Sequence, residues 1–342
     1  MTRSKQFRMK SHCPALLFIL VLFFTGCPKE EKPEASRVGV STRPATERPN
    51  SGPVPEAVAF NGERAMDHVR KQMDIGPRTP GSPELVKTRE YIIGELKKYG
   101  LSPTIDEFNA STPDGEKKMA NIIAEIPGET KDVIVIASHY DTKLYKDMHF
   151  VGANDPGASV ATLMEIGRVL TGINRKPKLT YWLVLFDGEE AFCETWEECG
   201  KPDAPDNTYG SRHLVSELAK KRETDRVKAL ILLDMIGYKN LELGRDTMSS
   251  KWLQDVIWKT AKDMGHGSIF VDRPEGVGGD DHEPFLKAGI DAVDLIQLSG
   301  YPHWHKATDT IDKVSPQSMK IVGDVVLESL PRVEEKVMSR RR

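Results

Sequence analysis

Four apolar runs rich in β-branched residues punctuate the chain: DVIVIASHY (132–140), LTYWLVLF (179–186), KALILLDMIG (228–237) and AVDLIQL (292–298). Between and around them, helical periodicity recurs over 83–99, 158–170, 211–221, 250–264 and 316–330. Strands that are apolar on both faces need helices on both sides of their sheet. The alternation therefore predicts an α/β fold, a three-layer sandwich around a mixed, mostly parallel central sheet. No internal repeat and no second boundary interrupts the pattern, so one catalytic domain over 57–332 is expected, followed by a charged tail at 333–342. With 342 residues, 39% of them hydrophobic, the core is large enough to fold without a disulfide or a structural metal.

The first 56 residues have a different composition. Lys5, Arg8 and Lys10 precede ALLFILVLFF (15–24), and small residues follow up to Cys27. A basic stretch, a ten-residue apolar segment and small residues describe a secretory signal over 1–27, and that segment is short for a membrane span. FTGC resembles a bacterial lipobox, with Cys27 as the lipidated residue and Phe24 where leucine is usual; a plain cleaved signal or an uncleaved anchor are the alternatives. Residues 28–56, rich in Pro, Glu, Ser, Thr and Arg, read as a disordered tether. The expectation is an exported, monomeric, membrane-tethered lipoprotein, in the periplasm or on the cell surface, touching the membrane only through its N-terminus. A net charge of −3 leaves no electrostatic footprint for nucleic acid. With Cys13 in the signal and Cys27 at the lipid site, Cys193 and Cys199 remain, six apart, and in an exported protein they read as a local disulfide.

The polar residues gather where the apolar runs stop. SHYD closes the first, DGEE the second and LLDMIG the third, while HWH follows the fourth. Ligand sites of open α/β sheets lie at the carboxyl ends of strands. Each of these groups alone has an ordinary structural explanation, but histidines and carboxylates at successive strand ends imply one shared metal site. Imidazole and carboxylate donors without cysteine suit a catalytic zinc rather than a structural one. Neighbouring side chains on an extended segment project apart. One of Glu189 and Glu190 can thus bind the metal while the other faces the substrate as general acid/base.

HYD, ANDPGAS, DGEE, YGSRH, LDMIG, DDHEPF and a final H…D, in this order, resemble the co-catalytic zinc aminopeptidase superfamily. FVGANDPGASVATLMEIGRVL, FDGEEAF, DNTYGSRHL and DDHEPFLKAGI, with Trp196 and Trp304, look like its animal-type glutaminyl-peptide cyclotransferase branch, and the chain resembles a bacterial member. The resemblance spans about residues 60 to 330. It implies Asp155, Glu190 and His305 as zinc ligands, with His305 preferred to His303 because the Trp-His pair matches. It implies Glu189 as general acid/base, Asp234 and Asp280 as acids hydrogen-bonded around it, and Trp196 and Trp304 as walls of the substrate pocket. Asp280 is preferred to Asp281 by its place in DDHEPF. Gly279 and the loop from Cys193 to Asp206 depart from the animal pattern, which bears on the pocket's selectivity. In the aminopeptidases His139 and Asp234 would bind a second zinc. The activity implied is conversion of N-terminal glutamine of peptides or proteins to pyroglutamate with release of ammonia. A zinc aminopeptidase and an inactive peptidase-like binding domain are the alternatives.

Overall fold

The computed structural model describes residues 58–201 and 204–340. The signal, Cys27 and the tether over 28–56 lie outside these residues. The described elements are α1 (Gly62–Ile75), α2 (Pro83–Lys98), β1 (Thr104–Thr112), β2 (Gly115–Ile126), β3 (Val133–His139), α3 (Ser159–Gly172), β4 (Thr180–Phe186) and α4 (Trp196–Cys199). Then come α5 (Tyr209–Lys221), β5 (Val227–Asp234), β6 (Leu243–Asp246), α6 (Lys251–Asp263), β7 (Phe270–Glu275), α7 (His282–Lys287), β8 (Asp291–Ile296) and α8 (Pro316–Ser339). The main sheet has the order β1-β2-β4-β3-β5-β8. Strands β4, β3, β5 and β8 run parallel, and β2 and β1 join antiparallel at one edge. The expected mixed, mostly parallel sheet is therefore present.

Two apolar clusters show why the four runs lack alternation. Ile134 and Ile136 of β3, with Leu183 and Leu185 of β4, face the layer that includes α1, α3, α6 and α8. Val133, Val135 and Ala137, with Val184 and Phe186, face Leu214 and Leu218 of α5 and Phe285 of α7. Every residue of β3 and of β4 is buried, so neither face could be polar.

The structure moves some boundaries. The run at 228–237 is strand only to Asp234, because the chain must leave the sheet there to deliver that carboxylate. The β1–β2 hairpin was not predicted: β1 is mostly exposed and carries no clean alternation. The tail expected at 333–342 is also corrected, since α8 continues to Ser339 and buries Val333, Glu334 and Val337. Glu334 accepts from the Leu179 amide and the Tyr181 hydroxyl, each at 2.9 Å. Burial of each valine contributes about 1.5–3 kcal/mol, which outweighs the local excess of charge and keeps the segment helical.

Candidate functional site: a carboxylate–histidine centre at the strand ends

The site residues leave the sheet at its carboxyl edge. His139 ends β3 and Asp234 ends β5. Glu189 and Glu190 follow β4 after Gly188, whose φ of 74° and closeness to Met119 leave no room for a side chain: a Cβ there would lie 2.6 Å from the Met119 sulfur. The turn is clamped from both sides. The Thr208 and Tyr209 amides donate to the carbonyls of Glu189 and Gly188 at 2.8 Å. Asp141 accepts from the Glu189 amide at 3.0 Å and the Glu190 amide at 3.3 Å. One buried carboxylate thus sets the direction of both glutamates. Asp187, the other acid of DGEE, serves the fold: it accepts from the Ala120 amide at 2.8 Å, and burial, then the nearby Asp141 charge, push its carboxyl up to about 8.

Asp155 sits in a turn that starts at Gly152 and contains a cis Asp155–Pro156 peptide. Asp309 holds this turn, accepting from the Asn154 and Asp155 amides at 2.9 and 3.1 Å and from the Tyr301 hydroxyl at 2.6 Å. Asn154 in turn bonds the Met235 carbonyl and the Gly237 amide, tying the Asp155 turn to the end of β5. His305 occupies the left-handed region at φ 54°, an uncommon place for a residue with a Cβ. Tyr145 and Phe150 meet its ring edge-on, with centroids 6.2 and 6.0 Å away, and Trp304 stacks on it at 4.4 Å.

These supports bring the predicted ligands together. His305 Nε2 lies 3.1 Å from Glu190 Oε1 and 3.5 Å from Asp155 Oδ2. On the other side of Asp155, His139 Nε2 is 3.3 Å from Asp155 Oδ1 and 3.3 Å from Asp234 Oδ1. Each triad, Asp155–Glu190–His305 and His139–Asp155–Asp234, offers donor atoms within 4.8 Å of one another. Glu190 Oε2 and His139 Nδ1 are buried without a hydrogen-bond partner among the described residues. Buried carboxylates gathered with too few donors are costly in a protein interior, and a cation between Asp155, Glu190 and Asp234 removes that cost; His139 enters this cluster through Nε2, while its Nδ1 faces Asp141 at 3.7 Å. The donor set fits a metal ion. Burial opposes charge on both His305 and Glu190, but their mutual attraction wins, raising the imidazole and lowering the carboxyl relative to their ordinary values.

A small cavity opens beside this centre, lined by Glu189, Glu190, Asp234, Asp280, Trp196 and Trp304 among others. Glu189 is pushed well above the usual carboxylate range, first by burial and then by the Asp280 charge. His303 does not join the cluster; its Nδ1 pairs with Thr308 Oγ1 at 2.9 Å at the surface. Asp281 is turned away from the cavity to Ser211, 2.5 Å off, while Asp280 lines it. Cys193 and Cys199 are disulfide-bonded, closing the loop that carries Trp196, which lies against Gly278. Lys143, buried, donates to the carbonyls of Ala191 and Cys193 at 2.9 Å and pins the same loop. Thiol titration of the denatured, exported protein should find Cys193 and Cys199 unreactive before reduction and two added thiols after it. Free thiols at both positions would contradict the pairing.

Asp309, Tyr301, Asn154 and Lys143 were not singled out from the sequence. Only the final H…D spacing hinted at Asp309; Asn154 and Lys143 act through backbone groups of distant segments, and Tyr301 acts through the Asp309 side chain, so none leaves a local pattern.

The sequence profile of peptidase family M28 matches residues 121–330. A glutaminyl-peptide cyclotransferase from Bos taurus is 31% identical over 305 residues, covering 76% of this chain and 81% of that protein. The crystal structure of a glutaminyl cyclase from an Acidobacteriales bacterium superposes with a TM-score of 0.76 at 35% identity, covering 85% of this chain and all of that one. A Bacteroides thetaiotaomicron protein described as a leucine aminopeptidase precursor superposes at 0.73 with 28% identity, over 80% and 97% of the two chains. With the strand-end site in the same chain region as the matching profile, the protein belongs to peptidase family M28, in its animal-type glutaminyl-peptide cyclotransferase branch.

Proposed function

We propose that the protein converts the N-terminal glutamine of peptides and proteins to pyroglutamate, releasing ammonia, with zinc held by Asp155, Glu190 and His305. The observation that carries the reading is the pairing of adjacent glutamates, one turned into the donor cluster and its neighbour turned into a cavity with aromatic walls. Zinc bound by this donor set would act as a Lewis acid on the side-chain carbonyl of the substrate glutamine.

The rest is the work of the chain's own side chains. Trp196 and Trp304 line the cavity beside Glu189; in the proposed reaction they would hold the glutamine side chain folded back toward its own α-amine, and holding the reacting atoms together replaces a bimolecular encounter. Glu189 takes a proton from the α-amine as its nitrogen bonds to the side-chain carbonyl carbon. It returns that proton to the amide nitrogen as the carbon–nitrogen bond breaks and ammonia leaves. A carboxyl held by burial well above its usual range can serve as base and then as acid. Asp280 and Asp234 flank this base. His139 and Asp234 form a second donor group beside the first, sharing Asp155. The export signal and the lipid at Cys27 remain part of the proposal, which puts the enzyme among extracytoplasmic peptides.

Mass spectrometry separates this reading from the aminopeptidase one. Gln-initiated peptides should lose about 17 Da, the mass of the ammonia displaced at the polarised carbonyl, with every peptide bond intact. Release of free residues from Leu- or Ala-initiated peptides, with no such loss from Gln peptides, would make the protein an aminopeptidase.

A further inference from the structure

Behind the cavity the acids continue inward. Asp280 Oδ1 accepts from the Asp281 amide at 2.5 Å, while its Oδ2 is buried without a hydrogen-bond donor among the described residues. The next carboxyl is Asp294 of β8. It is fully buried, brings a carboxylate oxygen within 4.8 Å of one on Asp280, and neither of its oxygens has a donor among the described residues. The Ser249 hydroxyl is not available to it, because it donates to Asp246 at 2.6 Å while accepting from the Asp294 amide at 2.9 Å. His282 of α7 is nearer the other acid: Nε2 stands 3.2 Å from Asp246 Oδ2, and Nδ1 stands 3.9 Å from Asp294 Oδ2. The charged groups facing Asp294 are thus Asp280 and His282 from the α7 side, Asp246 from β6 and Asp234 from β5. Carboxylates outnumber the one imidazole, and two ionised carboxylates cannot stay in contact in a dry interior.

One proton shared between the two acids partners Asp280 Oδ2 and one of the two Asp294 oxygens. We propose that Asp294 is a positioning residue, a permanently neutral carboxylic acid that donates its proton to Oδ2 of Asp280. Asp280 then carries two donors, the Asp281 amide on one oxygen and Asp294 on the other, and faces the cavity ionised and fixed. Burial first, and then the charges of Asp280, Asp234 and Asp246, hold the Asp294 carboxyl well above the usual carboxylate range. A donor aimed at a charged carboxylate stabilises that charge, so Asp294 acts on Glu189 only through Asp280.

The proposal rests on Glu189 being the base, but its first test does not. In the zinc-loaded enzyme at neutral pH, infrared difference spectra of wild type against Asp294→Asn should show the carbonyl stretch of a protonated carboxyl that the variant lacks. Absence of that band would overturn the proposal even if turnover of Gln peptides is normal. Turnover supplies the second test. Asn is neutral and keeps a donor, so Asp294→Asn should hold kcat within about threefold and leave the acid limb of its pH profile in place. Asp294→Ala removes the donor and should cut kcat by about tenfold or more at unchanged KM and zinc content, with the acid limb moved to higher pH as Asp280 takes up a proton itself. If Asp294→Asn instead shifts the acid limb down by about one unit, a negative charge has been removed and the residue is ionised in the wild type. Asn and Ala variants that lose stability alike with unchanged kcat would make the role purely structural. Asp280, His282 and Asp294 also bring donor atoms within 4.8 Å of one another; a metal equivalent that disappears from both variants would replace the shared proton with an ion.

Discussion

Glu189→Gln should lower turnover of a Gln-initiated peptide by about a hundredfold or more, as loss of a general acid/base does, while zinc content and KM stay near wild type. The side chains are nearly isosteric, so the cavity is preserved. The amides of residues 189 and 190 still donate to Asp141, so Glu190 keeps its direction. What disappears is the only group of the pair that faces the cavity free of the donor cluster. Metal analysis of the purified variant alongside steady-state kinetics checks both halves. Loss of zinc from Glu189→Gln, with zinc retained in Glu190→Gln, would exchange the roles of the two residues.

Removal of the metal should abolish activity and leave the fold standing. Chelator-treated protein is expected to show background turnover, recovery on adding zinc, and a far-UV dichroism spectrum close to that of the untreated enzyme. The reason lies in the core: two apolar clusters on the two faces of the sheet, assembled from residues outside the donor set, supply the folding energy. Glu190→Gln and His305→Ala should each release zinc and lose activity to the same background. Affinity should fall as pH falls, because bound ligands must be an ionised carboxylate and a neutral imidazole. The raised His305 makes that loss begin at a higher pH than for an isolated imidazole. Global unfolding on chelation would show the ion to be structural.

Much of this molecule can be read from residue order alone. A strand buried on both faces is apolar over most of its length, and β3 and β4 are buried end to end, so their runs announced a covered, mostly parallel sheet. Its carboxyl edge was equally legible, because histidine and carboxylates interrupt each run where the chain emerges. The adjacent glutamates carried their own division of labour, since successive side chains on an extended segment cannot point the same way.

Tertiary structure decided what sequence spacing could not. His303 and His305 are two residues apart and chemically identical; His305 joins the cluster because its left-handed backbone and three aromatic neighbours turn it inward. Asp280 and Asp281 are adjacent, and the contact of Ser211 with Asp281 sends one away from the cavity. Asp141 and Asp309 support the site across sequence separations of 48 and 154 residues, each by accepting from two backbone amides. Such contacts impose no periodicity and no local composition. They exist only once the sheet has brought the ends of β3, β4, β5 and β8 to one edge, where burial turns ordinary aspartates into fixed donors and acceptors.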